Sequence, residues 1–286
     1  MDDKSTKIIV DRIKNLPILP QIFYRVIELI ESPDSSAEDL EIIVVQDQSI
    51  AAKILKVANS PVYSSGKSIV DIHQAIVRIG FETLKSIVLE ISIFKYTSGK
   101  SSLSVFSREE FWRHSIGAAE AARLIARHIK YPNLDEAYLI GLIHDIGKVV
   151  LDNYFPHEYA LVGRYVKEHE CSIMDAEIAI LGFDHSAVGG WLAEQWKFPH
   201  QIKAGIEYHH NLKSLSNGYL VEPALAQLAD AIVRRVKFGS GGNPTIPVLE
   251  KQVFLLKNLS IDSVETLVNQ FQEELERIEH TCKILD

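Results

Sequence analysis

The spacing of its apolar residues constrains the fold of this chain more than any other feature of its sequence. Apolar residues recur three and four positions apart, whereas the alternating pattern of a half-buried strand is scarce. Residues that begin or stop helices interrupt this pattern: Ser36, Asp47 and Asp71 can act as N-caps, and Gly80 can end a helix. The sequence therefore predicts an all-α protein, folded as a multi-helix bundle.

The first hundred residues predict a helical subdomain that contains one histidine, His73. A rigid proline-bounded entry at residues 16–20 precedes the first helix, and Asn59-Ser60-Pro61 breaks the chain in the middle of the subdomain. The predicted helices cover residues 21–30, 37–46, 49–58, 72–79 and 81–94.

Two loops divide the rest of the chain. Residues 97–105 are rich in Ser, Gly and Lys, and residues 238–244 are rich in turn-forming residues. We therefore expect an N-terminal helical subdomain (1–100), a histidine-bearing helical subdomain (106–238) and a C-terminal helical extension (245–286). The extension is predicted as one amphipathic helix, whose apolar face serves either core packing or a dimer seam. That face contains Val264, Leu267, Val268, Phe271, Leu275 and Ile278.

Composition limits where the protein works and what it binds. The net charge is −8 and no long basic run occurs, which argues against nucleic acid as a partner. Apolar runs such as residues 137–143 are far shorter than the roughly 20 residues of a membrane span, and the N-terminus lacks signal-peptide features. Cys171 and Cys282 are too few for a disulfide framework. We expect a cytoplasmic protein without a membrane segment, in which any metal relies on N and O ligands.

The strongest local signal is His144-Asp145, which directly follows the apolar run 137–143. A helix that is apolar on every face is a buried one, and burying unpaired polar groups costs several kcal/mol, by transfer data roughly 2–7. A cation bound by both side chains removes that cost. A hydrogen bond between His144 and Asp145 inside a core is the alternative.

Four further helical segments carry a His or an Asp on a face that is otherwise apolar. A single such histidine is usually a core residue with hydrogen-bond partners, but several need a partner for every ring nitrogen, and a shared cation or cation pair supplies these together. Imidazole and carboxylate ligands suit Fe, Mn, Zn, Co or Ni, and the full set is large enough for one or two divalent ions. The additional residues are His114, His185, His209, His210 and Asp230.

The order of these residues resembles the HD superfamily of metal-dependent phosphohydrolases, and several motifs are similar to those of the HDOD domain. The resemblance spans residues 16 to 236 and implies a bacterial, all-helical, HD-like regulatory module of signal transduction. HDOD domains often lack the HD ligands, whereas this chain retains them. The matching motifs are residues 16–20 (LPILP), 58–61 (ANSP) with Tyr63, 141–148 (GLIHDIGK), 181–185 (LGFDH) and 196–199 (WKFP).

Two residues near the HD doublet have a role by resemblance and a structural alternative. HD-GYP phosphodiesterases place a Glu one turn before the first His, as Glu110 stands before His114, but Glu110 also fits position N3 of a capping box begun by Ser107. Lys148 can contact a substrate phosphate or stabilise a helix end. The GYP motif itself is missing, because residues 217–220 (NGYL) match it only faintly, so hydrolysis of cyclic di-GMP is disfavoured.

Three functions are compatible with this pattern. The first is a regulatory HDOD module that binds a signalling protein and retains a His/Asp metal centre. The second is a metal-dependent phosphohydrolase acting on a phosphate ester or nucleotide, with Asp145 and Lys148 as catalytic residues and the metal ligands Glu110, His114, His144, Asp145, His185, His209, His210 and Asp230. The third is a helical scaffold in which the histidines form hydrogen bonds and no metal binds.

Overall fold

The described part of the chain is helical throughout. The computed structural model describes residues 13, 20–61, 63, 66, 68–97, 105–215 and 221–285, and none of these residues belongs to a strand. The predicted all-α class is confirmed. No helix in these ranges has both the length and the apolar character needed to cross a membrane. The described helices fall into two compact units.

The first unit contains the helices of the N-terminal part of the chain. They are α1 (Gln21–Glu31), α2 (Ala37–Val44), α3 (Gln48–Ala58), α4 (Ile72–Ile79) and α5 (Phe81–Thr97). The predicted caps are present: the side chains of Ser36, Asp47 and Asp71 each accept a backbone N–H in the first turn of the helix that follows. Gly80 ends α4 with a positive φ of 81°.

Asn59 fixes the break after α3. Its side-chain amide donates to the carbonyl of Ile69 at 2.7 Å and accepts from the backbone amide of the same residue at 2.7 Å. This pair of hydrogen bonds holds the segment after the break against the end of α3, because both backbone groups of Ile69 need a partner.

The second unit contains the candidate ligands. Its helices are α6 (Arg108–Ile129), α7 (Leu134–Ile143), α8 (Ile146–Tyr154), α9 (Pro156–His169), α10 (Ile173–Leu181), α11 (His185–Gln195), α12 (His200–Tyr208), α13 (Val221–Val236) and α14 (Ile261–Glu273), with 3-10 turns at Leu212–Ser214 and Lys251–Leu255. The last helix, α15 (Leu275–Leu285), begins in this unit, and its final residues are assigned to the first unit.

Glycines allow the ligand-bearing helices to pack backbone against backbone. A Cβ on Gly141 of α7 would lie 2.3 Å from the carbonyl oxygen of Ala118 on α6. A Cβ on Gly147 of α8 would lie 1.9 Å from the carbonyl oxygen of His185 on α11. Neither position accepts a side chain without separating the helices, so these two glycines set the distance between the HD doublet and its neighbours.

The C-terminal region differs from its prediction as a single helix. α14 ends at Glu273 and α15 begins at Leu275, and between them the amide of Glu274 is shared among the carbonyls of Gln270, Phe271 and Gln272. Such shared bonding tightens the last turn of a helix. The division into residues 1–100, 106–238 and 245–286 stays a prediction. The proline entry at residues 16–19 and the NGYL segment at 217–220 lie outside the described residues.

Candidate metal centre

Seven of the predicted ligands converge in the interior of the second unit. His144 and Asp145 lie between α7 and α8, His185 is the first residue of α11, and His209 and His210 directly follow α12. His114 comes from α6 and Asp230 from α13. All of them are buried except His210, which is partly exposed.

Asp145 is common to two sets of ligand atoms. Within each set, the ligand atoms all lie within 4.8 Å of one another, close enough to share an ion. One set consists of Asp145, His185, His209 and His210, and the other consists of Asp145, His114 and His144.

The two carboxylate oxygens of Asp145 face different sets. Oδ1 lies 3.1 Å from Nε2 of His185 and 3.7 Å from Nε2 of His209. Oδ2 lies 3.6 Å from Nε2 of His114 and 3.5 Å from Nε2 of His144. A carboxylate placed in this way can bridge two cations or complete the ligand shell of one.

Asp230 completes the side of the centre formed by His114 and His144. Its Oδ1 lies 3.2 Å from Nε2 of His114 and 3.8 Å from Nε2 of His144. Arg234, one turn further along α13, donates from Nε to Oδ1 at 2.8 Å and places Nη2 2.7 Å from Oδ2. The guanidinium therefore holds the Asp230 carboxylate in its orientation toward the histidines.

Backbone carbonyls fix two imidazoles with Nε2 toward the centre. Nδ1 of His144 donates to the carbonyl of Gly141 at 2.7 Å, and Nδ1 of His209 donates to the carbonyl of Ile206 at 2.7 Å. Because a carbonyl only accepts, Nδ1 carries the proton in both rings, and Nε2 of a neutral ring is left with a lone pair. This tautomer is the one that a metal ligand needs.

A buried carboxylate, Glu177 on α10, fixes His185. Its Oε2 accepts from Nδ1 of His185 at 2.6 Å and from the backbone amide of His185 at 2.8 Å, while its Oε1 accepts from the hydroxyl of Tyr159 at 2.8 Å. Nε2 of His185 then lies 3.0 Å from Nε2 of His210. Two ring nitrogens at this distance share either a proton or a cation.

The donor set fits a divalent cation. Nε2 of His114, His144 and His209 and Oδ1 of Asp145 are buried and make no hydrogen bond to any described residue. Unsatisfied buried polar atoms are rare, and here they point at one another in a small volume. A cation satisfies them together, and imidazole nitrogen with carboxylate oxygen is a ligand set of transition metals and zinc.

Lys148 is fully buried, and its ammonium donates to Oδ2 of Asp145 at 2.6 Å. Burial by itself opposes ionisation of Asp145, but Lys148 and His144 outweigh this effect, and the pKa of Asp145 lies well below its ordinary value. Burial likewise opposes ionisation of Asp230, and Arg234 lowers its pKa well below the ordinary range. Both carboxylates are therefore ionised at neutral pH.

The imidazoles fall into two electrostatic classes. Burial lowers the pKa of His114 and His209, and burial together with the neighbouring imidazoles of His209 and His185 lowers that of His210 further. Burial also acts to lower the pKa of His185, but Glu177 and Asp145 overcome it and raise the pKa to about 9. His185 is therefore protonated at neutral pH in the metal-free protein.

A sequence profile of the HDOD domain matches residues 16–212, which is more than half of the chain. The chain belongs to the HDOD domain family. The HDOD match includes every ligand of the first set and His114 and His144 of the second, whereas Asp230 and Arg234 lie beyond its end.

Known proteins resemble the chain along most of its length. An HDOD domain protein from Geobacter sulfurreducens is 25% identical, with a TM-score of 0.82 over 99% of this chain and 97% of that one. A candidate phosphohydrolase from Shewanella amazonensis SB2B is 21% identical, with a TM-score of 0.77 over 97% of this chain and 98% of that one, and shows the same fold. A protein of Treponema pallidum (strain Nichols) is 23% identical over 271 residues, covering 94% of this chain. The chain spans about half, 51%, of that curated relative.

Of the eight predicted ligands, Asp230 and Glu110 are in neither set, but Asp230 contacts His114 and His144 whereas Glu110 lies apart from the centre. Its carboxylate is 47% exposed and lies 3.5 Å from Nε of Arg113 on the same helix. The hydroxyl of Ser107 accepts from the Glu110 amide at 3.3 Å, which is one half of the predicted capping box. In this HDOD protein Glu110, one turn before His114, therefore belongs to the first turn of α6 and not to the candidate metal centre.

Sequence reasoning missed Glu177 and Arg234, which orient ligands. Glu177 had a signal: it is an acidic residue within the otherwise apolar part of helix Ile173–Leu181, and a buried charge needs a partner. Arg234 follows Asp230 by one helical turn, a spacing at which Asp and Arg side chains meet. Both residues belong in the description of this HDOD centre, because supporting hydrogen bonds tune metal ligands.

Proposed function

We propose that this chain is a signal-transduction protein of the HDOD family whose His/Asp centre binds one or two divalent cations as a structural or sensing element. The observation that supports this proposal is the division of the Asp145 carboxylate between two sets of buried imidazoles whose Nε2 atoms need a partner. The family supports the regulatory role, since the resemblance to HDOD domains implies a regulatory module of signal transduction. The ion is Fe, Mn, Zn, Co or Ni, the metals that this ligand type suits.

In this proposal the chain supplies a preformed site. His144 and His209 present Nε2 because backbone carbonyls hold their Nδ1 protons, and Glu177 orients His185. Lys148 keeps Asp145 ionised and in position. A site held in this way changes little when an ion binds, which suits a centre that stabilises the fold or reports on metal supply.

Metal content tests the proposal. The purified protein is reconstituted separately with Fe(II), Mn(II), Zn(II), Co(II) and Ni(II), passed through a desalting column, and analysed for bound metal. We expect at least about one equivalent of one of these metals and a loss of most of it in Asp145→Asn, since both sets use this residue. His157→Ala, which changes an exposed histidine, serves as the matched control. Equal content in wild type and Asp145→Asn contradicts the proposal.

A second candidate function is hydrolysis of a phosphate ester or nucleotide, and one observation favours it. A pocket of about 350 Å³ opens beside the centre, with His210 on one wall and Lys213, Asn211 and Asn243 among its other lining residues. Its volume is within the range of small-molecule sites. A divalent cation held by His210 and the other residues of its set would supply electrostatic stabilisation of phosphoryl oxygens. The chain itself contributes the polar walls of the pocket and the ionised Asp145.

Activity assays separate the two candidates. The metal-loaded protein is assayed with p-nitrophenyl phosphate, bis-p-nitrophenyl phosphate and a panel of nucleotides, beside Asp145→Asn and His210→Ala prepared identically. Hydrolysis that requires both residues supports the enzyme. Turnover no higher in the loaded wild type than in Asp145→Asn rejects the enzyme and leaves the regulatory function.

A further inference from the structure

The segment at residues 239–250, here called the strap, crosses the candidate metal centre. A Cβ on Gly241 would lie 2.9 Å from Oδ2 of Asp145, 3.3 Å from Nζ of Lys148 and 3.4 Å from Cδ2 of His114. A side chain at position 241 would therefore meet these groups, and no larger residue fits there without a shift. The strap covers the side of Asp145 that faces His114.

The first part of the strap is tied to two ligand-bearing parts of the unit. The amide of Ser240 donates to the carbonyl of Glu110 at 2.8 Å, on the helix that carries His114. The side-chain oxygen of Asn243 accepts from the amide of Ile173 at 2.9 Å, at the start of the helix that carries Glu177.

The second part is tied to residues that support the other ligands. The carbonyl of Thr245 accepts from Nη1 of Arg234 at 2.9 Å, and the same guanidinium holds Asp230. The amide of Glu250 donates to Oε1 of Gln227 at 2.9 Å. Nε2 of the same Gln227 side chain donates to the carbonyl of His209 at 2.9 Å. The strap thus forms hydrogen bonds to residues that adjoin both ligand sets.

Hydrogen bonds rather than a buried apolar core hold much of the strap. Pro244, Thr245 and Ile246 are exposed, and the side chain of Val248 is 91% exposed. Segments with few buried apolar contacts open at a lower free energy than the helices around them. The strap also lies beyond residue 212, where the HDOD match ends.

We infer that the strap is a displaceable cover that controls access to the metal centre, with Gly241 closing the side of Asp145 that faces His114. This inference rests on the proposed function, because the centre that it covers is the proposed metal site. The strap also forms one wall of the pocket beside His210, through Asn243, Thr245 and Glu250. With the strap in place, a small ligand reaches the centre from the His210 side, and exchange at the Oδ2 side of Asp145 requires the strap to open.

Two variants weaken the strap at two separate anchoring points. Asn243→Ala removes the bond to Ile173, and Glu250→Ala removes the bond that the Glu250 carboxylate accepts from the amide of Leu212 at 2.9 Å. Thr245→Ala is the matched control on the same segment: its side chain is exposed, and Ala retains the carbonyl that Arg234 binds. None of the three substitutions changes a proposed ligand.

The first measurement follows the release of Zn²⁺ from the loaded protein to an excess of a colorimetric chelator. We expect release to be about fivefold to tenfold faster in Asn243→Ala and Glu250→Ala than in wild type, the size expected for one lost hydrogen bond, and unchanged in Thr245→Ala. Equal rates in all four proteins overturn the inference. Equal acceleration in Thr245→Ala does so too.

The second measurement needs no metal. Diethyl pyrocarbonate labels accessible imidazoles, and mass spectrometry of peptides gives separate rates for His144 and for the exposed His157 in the metal-free protein. In Asn243→Ala and Glu250→Ala, the reagent should label His144 at least about fivefold faster than in wild type. The labelling rate of His157 should be unchanged and serves as an internal reference. If wild type takes up none of the five metals, the proposed metal site fails, while this measurement still decides whether the strap is a cover. Unchanged labelling of His144 in both variants overturns it.

Discussion

Glu177 binds His185 twice, through the ring Nδ1 at 2.6 Å and through the backbone amide at 2.8 Å. The carboxylate thereby fixes both the rotation of the imidazole and the first residue of α11. A histidine held through Nδ1 presents Nε2, which lies 3.1 Å from Oδ1 of Asp145. The Glu177 carboxylate thus supports His185, which faces the proposed cation, and a carboxylate in this position increases the basicity of the imidazole.

Removal of this carboxylate should weaken metal binding. We expect Glu177→Ala to lower the affinity for the preferred metal by about 10- to 100-fold, and Glu177→Gln to lower it less, because Gln retains an oxygen acceptor. Competition with a chelator of known affinity measures the change. Glu194→Ala, at an exposed glutamate paired with Lys203, is the control. An affinity in Glu177→Ala equal to that of this control would show that His185 needs no orienting partner.

Substitutions in the two ligand sets should act separately. His210→Ala alters only the set that includes His185, and His114→Ala alters only the set that includes His144. If two ions bind, each variant should retain about one equivalent, and the double variant should retain almost none, because each ion loses its own ligands. Elemental analysis with protein quantitation gives the stoichiometry. Complete loss of metal in both single variants would instead indicate one ion shared by all the ligands.

Metal binding should release a proton from His185. Its pKa in the metal-free protein is about 9, so the ring is protonated at neutral pH and a cation must displace that proton. The affinity should therefore rise by about tenfold per pH unit up to about pH 9 and level off above it. Calorimetry at pH 7.5 in buffers of different ionisation enthalpy measures the release. A binding enthalpy that is the same in every buffer contradicts this expectation.

Gly147→Ala should damage both stability and the centre. The added Cβ would lie 1.9 Å from the carbonyl oxygen of His185, so α8 and α11 must separate. We expect unfolding in urea to show a loss of at least about 2 kcal/mol, at or above the usual cost of overpacking. Gly163→Ala is the control, because its Cβ would meet only the side chain of Val105, at 3.0 Å, and its effect should stay within about 1 kcal/mol. Similar stability of the two variants would contradict the close contact at Gly147.

The sequence by itself determined the local elements and named most of the side chains that come together at the candidate centre. Ser36, Asp47, Asp71 and Gly80 predicted helix ends that the structure confirms, because capping depends on neighbours a few residues away. The sequence also predicted seven His and Asp side chains as candidate ligands, six of them buried, since each polar residue on an apolar helical face needs a partner in the interior.

Only the tertiary structure decided how those residues are arranged. The assignment of each Asp145 oxygen, the support from Glu177, the exclusion of Glu110 and the position of Gly241 all depend on contacts between residues far apart in sequence. Helical periodicity gives the face of each helix, but the distance and rotation between helices are set by packing, as at Gly147 against His185. A pattern that is local along the chain does not contain that information.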